Sequence, residues 1–205
     1  PSVMGIVNAT PDSFSDGGTY DGIAHGRALI AQGADVLDIG GESTRPGAAD
    51  VTEAEEIARV VPVIAALRDK PISVDTRKAQ VARAALDAGA GLVNDVSGFD
   101  FDPALAQLVA STGVPVCLMH AQGVPATMQD QPSYDDVLLD VYDALAARIA
   151  RAEAAGIPRA RILVDPGIGF GKTLDHNLAI LNRISLFHSL GCGILLGVSR
   201  KRFIG

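Results

Sequence analysis

Short apolar runs alternate with longer amphipathic ones along the chain. The runs VMGIVN, DVLDIG, PISVDT, GLVNDV, VPVCLMH, RILVDP and GILLGVS are short, β-branched, and bounded by Gly, Pro or charge. That pattern predicts seven buried strands. Helical spacing fills the intervals. Residues 23–32 stop at Gly33, and residues 53–67 carry Ile57, Val60, Val61 and Ile64 on one face. Residues 78–88 stop at Gly89, and residues 103–111 start with Pro after Asp102 and stop before Gly113. Residues 134–155 stop at Gly156, and residues 176–190 stop at Gly191. Glycine stops and the Asp-Pro start follow from the caps that helix ends require.

Strands that are apolar on both faces, each followed by a helix, predict a parallel sheet covered by helices. About seven such units with no break in composition favour a (β/α)-barrel over a doubly wound sheet. No Ser/Gly/Pro-rich linker divides residues 1–205, so a single domain is expected.

Composition narrows the partners. The chain has 205 residues, is 48% hydrophobic and 20% charged, and needs no metal or disulfide to hold a core. Seventeen lysines and arginines against 24 acidic residues give a net charge of −7, which argues against a nucleic-acid partner. An anionic substrate needs local cations that outvote this balance. Cys117 and Cys192 lie in apolar runs with no second Cys or His at metal spacing, so they read as small buried hydrophobes suited to a reducing cytoplasm. No apolar run approaches a membrane span, and no charged segment followed by an apolar one opens the chain as a signal peptide would.

The sharper signal is a polar residue at the end of each predicted strand. Asn8 ends the first, and Asp38 sits late in the second. Asp75 ends the third, Asn94-Asp95 the fourth, His120 the fifth and Asp165 the sixth, and Ser199-Arg200-Lys201 follow the seventh. In a barrel these fall on the C-terminal rim, where barrel enzymes hold their sites. A single such residue is more often a helix cap or a turn residue, but a polar terminus on every strand is harder to explain by capping alone. Carboxylates and amides at Asp75, Asn94 and Asp165 suit a flat, nitrogen-rich ring with side-by-side N–H donors. Arg45, Arg200 and Lys201 offer cations for phosphate or carboxylate. Asn8 offers an oxygen for Mg²⁺, which takes few protein ligands and keeps its waters.

The run from Gly167 to Thr173, GIGFGKT, is not a P-loop, because Pro166 stands where the first Gly is needed. Nor is it a dinucleotide fingerprint, because Lys172 stands at the third Gly. It reads either as a Gly-rich loop that lets backbone approach a ring or as a structural turn. His25, His176 and His188 read as surface or cap residues, and His120 as either structural or catalytic. Two long loops follow the first two strands, NATPDSFSDGG from Asn8 and GGESTRPGA from Gly40. They are lid candidates, with Phe14 and Pro46 either covering a ring or anchoring the loops.

With these residues in view, the chain resembles the dihydropteroate synthase family. The matching stretches are MGIVNATPDSFSDGG, DIGGESTRPGA, ISVDTRKAQVARAALDAGAGLVNDVSG, LMH, ILVDPGIGFGKTLDHN and LLGVSRKRFIG, in family order. The resemblance implies a (β/α)8 TIM barrel whose last β/α unit is not in this sequence, and with it an Arg and a His for pyrophosphate. It implies a transferase of folate biosynthesis that joins 6-hydroxymethyl-7,8-dihydropterin pyrophosphate to p-aminobenzoate and releases pyrophosphate, with Mg²⁺ as cofactor. Asp75, Asn94, Asp165 and Lys201 are implied to hold the pterin, with Met119 and Phe170 lining its pocket. Asn8 is implied at the Mg²⁺–pyrophosphate site and Thr44 at the phosphates. Phe14, Asp16, Ser43, Arg45 and Pro46 are implied to close over the site and shape the p-aminobenzoate pocket, where sulfonamides compete. Catalytic roles fall to Asp75, Asp165, Lys201, Arg45 and Asp16. A homodimer in the cytoplasm is implied, with no nucleic acid or membrane. Two alternatives share the barrel: the pterin-binding domain of a methyltetrahydrofolate-dependent methyltransferase, and a non-catalytic pterin binder.

Overall fold

The computed structural model describes residues 1–10, 22–42, 51–122, 132–199 and 201. Among them, strands β1 (Met4–Asn8), β2 (Val36–Gly40), β3 (Ile72–Asp75), β4 (Leu92–Asp95), β5 (Val116–Met119), β6 (Ile162–Asp165) and β7 (Gly193–Ile194) alternate with helices α1 (Gly22–Ala31), α2 (Glu53–Leu67), α3 (Ala79–Ala88), α4 (Ala104–Thr112), α5 (Val137–Ala154) and α6 (Leu174–Asn182). The chain forms two compact units, one reaching to Asn94 and one running on from Asp95.

In the first unit β1 to β4 pair in sequence order and all in parallel. The register sets Asn8, Gly40, Asp75 and Asn94 in one row across the four strands. The row one residue earlier is Val7, Ile39, Val74 and Val93, all completely buried. Neighbouring residues on a strand face opposite ways, so one row is core while the next is free for polar groups. Helix α2 starts on Thr52, whose hydroxyl accepts from the Glu55 N–H, and buries Val60, Val63, Ile64 and Leu67.

The second unit pairs β5, β6 and β7 in parallel. Met119 is level with Asp165. Helix α5 begins at Val137, three residues later than its apolar pattern predicts, because the Asp136 carboxylate caps the Leu138 and Leu139 N–H groups. The predicted helix over 176–190 is two pieces. Helix α6 ends at Asn182, Arg183 leaves helical geometry at φ −120°, and a 3-10 helix runs Ile184–Leu190. Ile180, Phe187 and Leu190 are buried at spacings that fit one continuous helix, so periodicity hides the break.

Candidate active site

Each unit carries its own group of strand-end polar residues. In the first, Asn8 is exposed at the end of β1, and Asp75 is half-buried at the end of β3. Gly40 lies between them in the row, and a Cβ there would come 3.4 Å from the Asp75 Cβ. Asn94 is buried, and its Nδ2 donates to Asp38 Oδ2 at 2.9 Å. Burial pushes the Asp38 carboxyl pKa up, while Ser73 and Asn94 draw it back.

Asp95, next to Asn94, behaves differently. Its carboxylate accepts from the Ser97 N–H (2.8 Å), the Ser97 hydroxyl (2.7 Å) and the Phe99 N–H (2.6 Å). It fixes the turn in which Phe99, a non-glycine, takes φ 68°. Of the two polar residues ending β4, Asp95 is therefore used within its own turn, while Asn94 reaches to Asp38.

In the second unit Asp165 ends β6 and is 7% exposed. Its Oδ1 accepts the Gly167 N–H at 2.7 Å. Burial lifts its pKa to about 6, against the pull of that N–H and of Lys172 and Lys201. Met119 is buried. The half-buried Lys201 holds its Nζ 4.4 Å from the centre of the Phe170 ring, a cation–π contact. Burial lowers the Lys201 pKa, and Asp165 opposes this.

The Gly-rich run is a braced loop. At Gly167, φ is 70° and a Cβ would overlap the His120 carbonyl oxygen, so only glycine fits. The Gly169 N–H donates to Asn177 Oδ1 at 2.7 Å, and the Tyr134 hydroxyl donates to the Gly171 carbonyl at 2.7 Å. Lys172 is turned inward and only 4% exposed. Its Nζ lies 3.0 Å from the Gly167 carbonyl, the Phe170 carbonyl and His120 Nδ1. The His120 carbonyl is a fourth acceptor at 3.4 Å, so every N–H of the ammonium has a partner, although burial lowers the Lys172 pKa to about 7. His120 is held neutral, its pKa lowered to about 3 by burial and by Lys172 and Arg148. The imidazole is thus tied into the loop's support.

Sequence reasoning left two of these residues without a role. Lys172 drops out with the P-loop pattern, and its burial has no local signal. Asp38 sits late in its strand, but its bond to Asn94 spans a register that sequence does not show. Phe14, Asp16, Ser43, Thr44, Arg45, Pro46 and Arg200 lie outside the described residues. Among the described residues, no group of three or more His, Cys, Asp or Glu could hold a metal, and no helix is long and apolar enough to cross a membrane. Both cysteines are free and buried.

Parallel β/α repeats with polar side chains at the strand ends define a barrel enzyme of the (β/α)8 class, and solved structures share this fold. A dihydropteroate synthase of Xanthomonas albilineans with 4-aminobenzoic acid superposes with a TM-score of 0.92 at 51% identity, over 100% of this chain and 75% of that one. The Yersinia pestis dihydropteroate synthase in a sulfonamide drug complex gives a TM-score of 0.94 at 47% identity, over 100% and 77%. A dihydropteroate synthase of Escherichia coli (strain K12) is 49% identical over 100% of this chain and 75% of that protein. The family described as pterin binding enzyme matches residues 4–205, and the chain belongs to it.

Proposed function

We propose that the chain catalyses the dihydropteroate synthase reaction, transferring the 7,8-dihydropterin-6-ylmethyl group from its pyrophosphate to p-aminobenzoate. The observation that carries this reading is the match along the whole chain, at about half identity, to dihydropteroate synthases. The buried strand-end groups support it: their chemistry suits a nitrogen-rich ring. Asp165 keeps one carboxylate oxygen beyond the one bonded to Gly167, and Asp75 and Asn94 add a carboxylate and an amide. Met119 and Phe170 give the ring apolar contact, and Lys201 supplies a cation beside the Phe170 face.

The bond between the methylene carbon and pyrophosphate breaks with its electron pair leaving on the phosphate oxygen. The methylene cation so formed is stabilised by the electron-rich ring and the carboxylates. The aryl amine nitrogen then bonds that carbon and releases one proton to water. An exposed amide at the end of β1 fits a cation that takes one protein oxygen and completes its shell with water and phosphate, so Asn8 is the residue to hold Mg²⁺. When bound, Mg²⁺ neutralises the departing pyrophosphate. Thr44 and Arg45 are assigned to the phosphates and the closing loop, with Phe14, Asp16, Ser43 and Pro46 around p-aminobenzoate. Sulfonamides compete at that pocket. We read the chain as one barrel domain acting as a cytoplasmic homodimer.

The test supplies Mg²⁺, 6-hydroxymethyl-7,8-dihydropterin pyrophosphate and p-aminobenzoate to the full-length protein and follows dihydropteroate by chromatography. Product that depends on all three components is expected. Pterin binding without product under saturating substrates would leave a binding protein and overturn the proposal.

A further inference from the structure

Asp38 faces Ser73 across β2 and β3, two rows before the row of Asp75 and Asn94 and so on the same face of the sheet. It is 3% exposed, and Ser73 is completely buried. Asp38 Oδ2 accepts from Asn94 Nδ2 at 2.9 Å. Neither Asp38 Oδ1 nor the Ser73 hydroxyl makes a sound hydrogen bond, although Ser73 stands close enough to pull the carboxyl pKa down. A buried carboxylate with half its lone pairs unused is costly to keep. Packing alone does not explain it, since an apolar residue would fill the space without that cost.

We propose that Asp38 is a positioning residue that fixes which end of the Asn94 amide is presented to the bound ring. The inference rests on the reading of Asn94 as a ring-binding group. An asparagine amide has nearly the same shape when turned over, but its donor and acceptor change places. A carboxylate oxygen accepts and does not donate, so it takes the NH₂ end. This leaves the Asn94 oxygen and the second N–H of Nδ2 for other partners. The reversed amide would set two oxygens against each other in a dry site. A proton on the unused Oδ1 leaves the lock in place, since Oδ2 goes on accepting, whereas a proton on Oδ2 would donate to the reversed amide and undo it. A neutral amide in place of Asp38 pairs with either end of Asn94 and removes the lock. Asp38 therefore acts on ring selection through Asn94: it favours a ring edge that offers an N–H to the Asn94 oxygen and an acceptor beside it.

The experiment compares full-length wild type with Asp38→Asn, which keeps the size of the side chain. Affinities for 7,8-dihydropterin and 7,8-dihydrolumazine are measured by calorimetry; the latter carries a carbonyl in place of the 2-amino group and an N–H in place of the N1 acceptor. Wild type should favour the pterin, and Asp38→Asn should narrow that preference at least tenfold while melting within a few degrees of wild type. An unchanged preference in a folded Asp38→Asn protein overturns the inference. A second readout needs no ligand. In wild-type protein labelled with ¹⁵N-asparagine, one Asn94 side-chain N–H should exchange with water far more slowly than those of exposed asparagines. Free exchange of both protons overturns the lock even if Asp38→Asn fails to fold. A wild type that binds neither ring but keeps the slow N–H refutes the pterin reading and leaves the lock standing.

Discussion

Two buried clusters, one in each unit, treat their polar groups in opposite ways. Around Lys172 the donors are all used: three N–H groups meet two carbonyls and an imidazole nitrogen at 3.0 Å, with the His120 carbonyl a further acceptor at 3.4 Å. Around Asp38 the polar groups are not all used, with one carboxylate oxygen and one hydroxyl left over in the interior. Balanced clusters are scaffolding, because nothing in them is left to offer. Unbalanced ones carry a standing cost that a folded chain keeps only where the groups act on something else. The same contrast holds between Asp95, which takes three donors from its own turn, and Asp165, which takes one and keeps the rest of its carboxylate available.

The largest effect that sharpens this contrast is expected at Lys172. Lys172→Met keeps the stem but leaves the Gly167 and Phe170 carbonyls and His120 Nδ1 without their donor. Such losses run to about 3 kcal/mol. A domain of this size should then melt roughly 6–12 °C lower. An unchanged melting temperature would show that the cluster is not scaffolding.

Asp165→Asn is expected to do the reverse. It should weaken pterin binding by roughly tenfold to a hundredfold, as loss of charge-assisted bonds does. It should cost the empty protein little, and calorimetry together with thermal melts separates the two. The pH dependence follows from the raised pKa. Between about pH 4 and 6 the folded wild type holds a proton on Asp165 that the unfolded chain has already lost, so this residue's contribution to stability falls as pH rises through that window. Asp165→Asn removes the fall. Pterin binding, which uses the carboxylate, should strengthen as pH rises through about 6 in wild type and not in Asp165→Asn.

The smallest effect belongs to the half-exposed Arg151–Asp100 pair, at 2.6 Å. Arg151→Ala should cost less than about 1 kcal/mol, because solvent screens the pair. A fall of several degrees in the melt would show that the support of the Gly98 carbonyl by Arg151 matters more than its charge.

Much of this was legible in the sequence. Helix α2 was bounded to the residue, because Thr52 caps it at one end and its apolar stripe runs unbroken to Leu67. The strands were legible from their apolar runs, and Asp75, Asn94 and Asp165 from their places at the strand ends. Three features were not. Arg183 breaks the last helical stretch where the apolar period continues. The run GILLGVS forms a ladder only at Gly193–Ile194, since β7 pairs only with β6 among the described residues. The inward turn of Lys172 and the reach of Asn94 to Asp38 depend on contacts 52 and 56 residues apart, which no local pattern encodes.

The register of β1 to β4 also bears on how such a protein changes over time. Val7, Ile39, Val74 and Val93 hold the core, while Asn8, Gly40, Asp75 and Asn94, each the very next residue, belong to the opposite face. Parity along the strand thus separates inheritance of the scaffold from variation in what it recognises. A lineage can exchange a strand-end group on one repeat, leave the three neighbouring repeats as they were, and acquire a new ligand without having to invent a new core.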